Sequence, residues 1–152
     1  MFDEKKLARI GQKLFNRPKF WPDHFKAPDF FIDFILSPTT IMLEIGDEKG
    51  LIIVEDVVPN GYGLAHIIIF NRRHIDGLEG TLDAATKWVF ATFQVAAISA
   101  WIPSPNNAAI RLVQKLQNWQ FDGQIRKSVV YYGAVVDQVV YSITREDLYN
   151  GI

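Results

Sequence analysis

Apolar residues recur along this chain with two different periods, and the switches between them divide it into elements. Leu7, Ile10 and Leu14 stand at helical spacing among Asp3, Glu4, Lys5 and Lys6, which predicts a short amphipathic helix ending before Arg17-Pro18. Pro18, Pro22 and Pro28 then alternate with Phe15, Phe20, Trp21 and Phe25, a composition that breaks regular structure while still favouring burial. Pro28 fits the first turn of a second helix carrying Phe30, Phe31, Phe34 and Ile35, which Ser37-Pro38 stops.

The period then shortens to two. Residues 39–45, 51–58 and 62–70 are β-branched and apolar and are separated by Gly-Asp-Glu-Lys-Gly and Pro-Asn-Gly turns, so three successive antiparallel strands are expected. Leu78, Leu82, Ala85, Val89, Phe93 and Ala96 mark one face of a long helix running to about Val95, and residues 97–102 read as a short buried strand. That is a strand–helix–strand crossover. Ser104, as N-cap, and Pro105 open another helix, with Ala109, Leu112, Val113 and Leu116 inward and its end near Gln117. Residues 124–131 and 134–143 flank Tyr132-Gly133 and predict a terminal hairpin. The expected class is α/β (α+β): a mixed, mostly antiparallel central sheet flanked by helices.

Composition narrows the function classes. With 152 residues, 49% of them hydrophobic and 22% charged, the chain suits one globular domain spanning residues 1–152. Sixteen basic against seventeen acidic residues leave a net charge of −1, so nucleic acid and anionic membranes are not expected partners. The absence of cysteine removes disulfides, thiolate metal sites and thiol nucleophiles, and fits a cytoplasmic setting. The most apolar stretches, residues 64–70 and 95–103, are shorter than the roughly 18 residues of a spanning helix, and the N-terminus lacks an apolar signal core. No Ser-His-Asp order, paired-carboxylate site or His-x-x-x-His metal spacing stands out.

One region carries a family resemblance. Asn106-Asn107-Ala108-Ala109-Ile110-Arg111-Leu112-Val113-Gln114-Lys115-Leu116, then Trp119, then Phe121-Asp122-Gly123-Gln124-Ile125-Arg126, and finally Gly133, Asp137, Tyr141 and Ser142 resemble the C-terminal half of GNAT acetyltransferases. The nearest branch is the ribosomal-protein N-terminal acetyltransferases, and the likeness runs from about residue 40 to the end. Three positions depart from the family pattern. Its Leu-Gly-Phe corner is Leu116-Gln117-Asn118-Trp119 here, its phosphate loop is degenerate over residues 71–81, and Val113 stands in the register of its thiolate-protonating tyrosine.

The resemblance implies acetyl-CoA as cofactor and an amine as acceptor. A pyrophosphate is met by free backbone N–H groups at a helix N-terminus. In that role Gly77 and Gly80 permit close backbone approach, Arg72 and Arg73 pair with phosphate oxygens, and Thr81 adds a hydroxyl or caps the helix. Asp76 and Glu79 set two negative charges in the same stretch, which reads almost as well as a solvated connection. Ile68, Ile69 and Phe70 form the strand edge that would take the pantetheine arm, across a splay from residues 97–102.

Attack on a thioester needs a neutral amine, whereas an alkylammonium of pKa about 10.4 is charged at neutral pH. The candidate bases are His66 and Glu55, on successive strands. The alternatives are a structural histidine and a solvent-facing strand end. Asn106 resembles the family asparagine near the thiol, or else only caps its helix. Arg126 either orients an acidic substrate or forms a surface ion pair, and Tyr131 or Tyr132 stands as a replacement proton donor or as packing. The leading function is therefore an acetyl-CoA-dependent N-acetyltransferase acting on a protein N-terminus or small amine. The alternatives are a non-catalytic binding or structural protein of the same fold and an aromatic ligand pocket at residues 15–25. A homodimer is compatible with the sequence.

Overall fold

The computed structural model describes residues 4–15, 36–46, 49–69 and 77–150. The expected helix at 28–35, the aromatic stretch at 16–25, and Phe70, Arg72 and Arg73 lie outside them. Helix α1 (Glu4–Phe15) buries Leu7 and Ile10, as its stripe predicts. After it come β1 (Ile41–Ile45), β2 (Gly50–Glu55), β3 (Tyr62–Ile69), α2 (Leu78–Thr92), β4 (Ala97–Pro103), α3 (Asn107–Lys115), β5 (Gln120–Tyr131), β6 (Ala134–Thr144) and α4 (Arg145–Asn150). Among the described residues the strands form one sheet in the order β1-β2-β3-β4-β6-β5, antiparallel everywhere except between β3 and β4. The meander, the crossover and the hairpin are all present. No helix among the described residues is long and apolar enough to cross a membrane.

Strand β5 begins at Gln120, earlier than expected, and β1 at Ile41, later; three further boundaries and one added helix have a local reason. The second strand stops at Glu55 because Asp56 turns left-handed at φ 53°. Helix α2 stops at Thr92, where Phe93 is already extended. Helix α3 begins after Asn106, not at Ser104: the Asn106 Oδ1 accepts the Ala109 N–H at 3.2 Å and is the cap. Helix α4, which the apolar pattern does not announce, is opened by a reciprocal cap in which Thr144 Oγ1 accepts from Asp147 N–H and Asp147 Oδ2 accepts from Thr144 N–H.

Strand alternation gives the sheet two faces. One carries Ile41, Ile45, Ile52, Val54, Ile98, Ile102 and Ile143 onto Leu82, Val89 and Phe90 of α2 and Val113 of α3, forming two contiguous clusters of buried residues. Trp119 packs against both clusters. On the other face Leu51 and Ile53 are fully buried, and Lys6 Nζ bonds Glu44 Oε2 at 2.8 Å to hold α1 on that side of β1.

The parallel pair is short. Strands β3 and β4 pair only at Tyr62↔Ala97, Gly63↔Ile98 and Leu64↔Ser99, and then part. Their joined end is heavily tied. Gly61 C=O accepts the N–H groups of Ala96 and Ala97, and Asn60 N–H donates to Gln94 C=O. Arg145 N–H donates to Ala96 C=O, while its guanidinium donates to the carbonyls of Phe90, Phe93 and Val95 and lies over the Phe90 ring. A cation at the C-terminal end of α2 also opposes the helix dipole.

At the far edge, β5 carries two irregularities against β6, one between Phe121 and Gly123 and one between Ile125 and Val129. In the second, Lys127 is left-handed at φ 48°. The Asp137 carboxylate holds it there, accepting from Lys127 N–H at 2.9 Å and from Gln124 Nε2 at 2.6 Å. The hairpin turns at Tyr132 and Gly133, both with positive φ, as a tight two-residue connection requires.

Two outcomes test these ties. Arg145→Ala removes several charge-assisted bonds to helix-end carbonyls and should lower unfolding free energy by about 2–3 kcal/mol in urea titration. The Asp137 pKa is lowered first by the Lys127 N–H bond, then by the Gln124 bond, with smaller help from the Lys127 and Arg126 charges. A depressed carboxylate contributes stability that is present above its unfolded pKa and is lost as pH falls through the folded one. Acidification below the ordinary carboxylate range should therefore open the bulge. Amide exchange at Lys127 should rise there in wild type, and Asp137→Asn should remove this pH dependence.

Candidate functional site

The wedge left by β3 and β4 leads into a cavity of about 730 Å³. Its walls come from both faces of the sheet. Ala65, Ile67, Ala100 and Ile102 line it on the helix side, with Leu78, Leu82, Ala85 and Val89 of α2 and Ala109, Leu112 and Val113 of α3. Glu55, Leu64, His66 and Trp101, which alternation places on the opposite face, line it as well. Only where a sheet parts can one cavity touch both faces, so two ligands could meet inside it from opposite sides.

The two candidate bases are joined. Register pairs Glu55 with Leu64 and Ile53 with His66, which makes Glu55 and His66 diagonal neighbours on one face. His66 Nε2 and Glu55 Oε1 lie 2.5 Å apart, and their side chains retain 32% and 16% exposure. A carboxylate so placed fixes the imidazole's orientation, an arrangement suited to general-base work.

Asn106 also lines the cavity; its Oδ1 caps α3, and its Nδ2 is a further hydrogen-bond donor. Ile68 and Ile69 line the cavity on the part of β3 that runs beyond its last pairing with β4. Gly77 is left-handed at φ 68° directly before α2, and a Cβ built on Gly77 or Gly80 would meet nothing within 4 Å among the described residues. Those residues leave the first turn of α2 open to close approach. Thr81 does not cap the helix, as its hydroxyl donates back to Gly77 C=O at 3.2 Å. Glu79 turns towards α3, 3.6 Å from Lys115 Nζ, so its charge is partly offset.

Three features of this site escape a reading of the sequence alone. Arg111 and Lys115, four residues apart on α3, both line the cavity and bring positive charge to the same region as the α2 N-terminus. Their spacing is visible in the sequence, but the face they share is not. Trp101 lines the cavity while 46% exposed. The hairpin tip arches over it through Val129, Val130 and Tyr131. Arg126 sits exposed beside the bulge, where its charge acts on Asp137. Val113 is buried in the cavity wall. At the altered corner Asn118 takes φ 65°, a left-handed position that asparagine tolerates better than other non-glycine residues. Among the described residues no cluster of histidine, cysteine or carboxylate side chains could hold a metal ion.

No family model and no curated protein matches the chain. Solved structures do. A variant of spermidine N-acetyltransferase SpeG from Vibrio cholerae superposes with TM-score 0.77 at 15% identity, covering 99% of this chain and 96% of that chain. The spermidine N-acetyltransferase from Vibrio cholerae in complex with CoA and spermine gives 0.77 at 14% identity over 97% and 94% of the two chains. Ribosomal-protein-S5-alanine acetyltransferase from Vibrio fischeri gives 0.75 at 14% identity over 97% and 92%. At such identities the likeness concerns backbone architecture, and on that architecture the chain has the GNAT acetyltransferase fold.

Proposed function

We propose that the protein is an acetyl-CoA-dependent N-acetyltransferase acting on a primary amine. The observation that carries the reading is the cavity through the parted sheet, with an open cofactor-sized channel between α2 and α3 on one face and the His66–Glu55 pair on the other. The spermidine N-acetyltransferase of this fold solved in complex with CoA lends it support. The residues present fit that group. Ile68 and Ile69 lie beyond the last pairing of β3 with β4, along the edge that a pantetheine arm would follow. The α2 N-terminus with its uncovered glycines, together with Arg111 and Lys115, suits a pyrophosphate. Arg72 and Arg73, in the segment before Gly77, belong to the same proposal. Bound there, acetyl-CoA supplies an activated acyl carbonyl.

His66 then accepts a proton from the amine, with Glu55 orienting the ring. The amine nitrogen forms the new amide bond, the thioester C–S bond breaks, and the thiol sulfur takes a proton from Tyr131, Tyr132 or water. Asn106 contributes its Nδ2 donor near the reacting end. A non-catalytic binding protein of the same fold is the second reading, and the observation favouring it is the buried Val113, which cannot exchange a proton.

His66→Ala and Glu55→Gln should each lower turnover about 10²–10⁴-fold near neutral pH, with partial recovery as pH approaches the amine pKa. Acetyl-CoA affinity should not change, and full activity in both variants would remove the pair from the mechanism. Calorimetric binding of acetyl-CoA without turnover of any amine selects the non-catalytic reading. For the cofactor side, Arg111→Ala combined with Lys115→Ala should weaken acetyl-CoA about tenfold at low salt, with a smaller difference at high salt because both groups are solvated. Equal affinities at every ionic strength would place the phosphates elsewhere.

A further inference from the structure

The geometry points to a monoamine with an aromatic or bulky apolar body as the acceptor, in preference to a polyamine. This substrate class rests on the N-acetyltransferase reading. It follows from what stands opposite the base. The last paired residues of the parallel strands are Leu64 and Ser99, so the next residues on the same face are His66 on β3 and Trp101 on β4. They are the first two side chains on this face that the parting sheet separates, and both line the cavity. The indole is not loose: its Nε1 donates to Ser99 Oγ at 3.0 Å, which fixes the ring on that face while nearly half of the residue stays exposed.

The hairpin extends the same surface. Pairing of Pro103 with Gln138, of Val129 with Val136 and of Tyr131 with Ala134 places Val129 and Tyr131 on the face of Trp101, and both line the cavity. Leu64 completes the wall beside Glu55. Among the described residues an ammonium entering here meets the Glu55 carboxylate and the Trp101 indole, a pairing that favours a single cation. The rest of the acceptor meets Leu64, Val129, Trp101 and Tyr131, which favour apolar area. A polyamine would bring further ammonium groups into the same apolar wall, where each loses hydration. The bound ammonium gives one proton to His66, which passes it to solvent; as the amide bond forms and the C–S bond breaks, the nitrogen loses its second proton and the departing thiolate takes one up.

The experiment is a steady-state comparison of 2-phenylethylamine, spermidine and an alanine-initiated peptide with acetyl-CoA, for wild type and Trp101→Ala, with acetyl-CoA affinity measured on both. For wild type, kcat/KM for 2-phenylethylamine should exceed that for spermidine by about tenfold or more. Trp101→Ala should bring the two within about threefold of each other while acetyl-CoA affinity stays the same. Spermidine or the peptide as the best acceptor overturns the substrate class and leaves the acetyltransferase reading intact. A selectivity unchanged by Trp101→Ala overturns the role of the indole. Failure to turn over any of the three, or to bind acetyl-CoA, overturns both.

Discussion

Everything the cavity does depends on β3 and β4 being held together at one end and nowhere else. Parallel neighbours in a sheet ordinarily pair along their shared length, and here pairing ceases after three residues. The joined end resists opening because Arg145, on the last helix, reaches three carbonyls at the end of α2 while the Asn60-Gly61 turn bonds the segment leading into β4. With the vertex fixed, α2 and α3 can press apolar side chains onto one face of the diverging strands without closing the gap. The cavity is therefore a product of the clamp and the two helices jointly.

The wedge also separates two chemistries that would interfere if mixed. The α2 N-terminus and basic side chains collect on one side, a field that suits an anion. Glu55, His66 and aromatic rings collect on the other, a field that suits a cation.

Much of the fold was legible because strand and helix periods alternate cleanly from Ile41 onward. The meander, the crossover helix and the Tyr132-Gly133 hairpin each have a local cause in β-branched runs, an apolar stripe or a positive-φ turn. His66 and Glu55 were also legible as candidate bases, but their union was not, because it depends on a diagonal register between strands. Asn106 was legible as a helix-start residue, while the choice between it and Ser104 turned on one capping bond. Arg145 gave no signal at all. The guanidinium's partners are backbone carbonyls fifty to fifty-five positions earlier in the chain, and carbonyls carry no residue identity. The same holds for Trp101, whose exposure follows only from the loss of its neighbour strand.

The two irregularities of β5 bear on how the molecule behaves in a crowd. This strand closes the sheet on one side, runs twelve residues, and shows Phe121, Ile125 and Val130 to solvent. A straight rim of that length and composition would recruit any extended segment from another chain and grow by adding strands. The extra residue at Asp122 and the left-handed kink at Lys127 break the rim into short lengths that do not share one line of donors and acceptors, and Asp137 locks the second break. A carboxylate that looks like a minor detail of a hairpin thereby guards against runaway polymerisation of the folded protein.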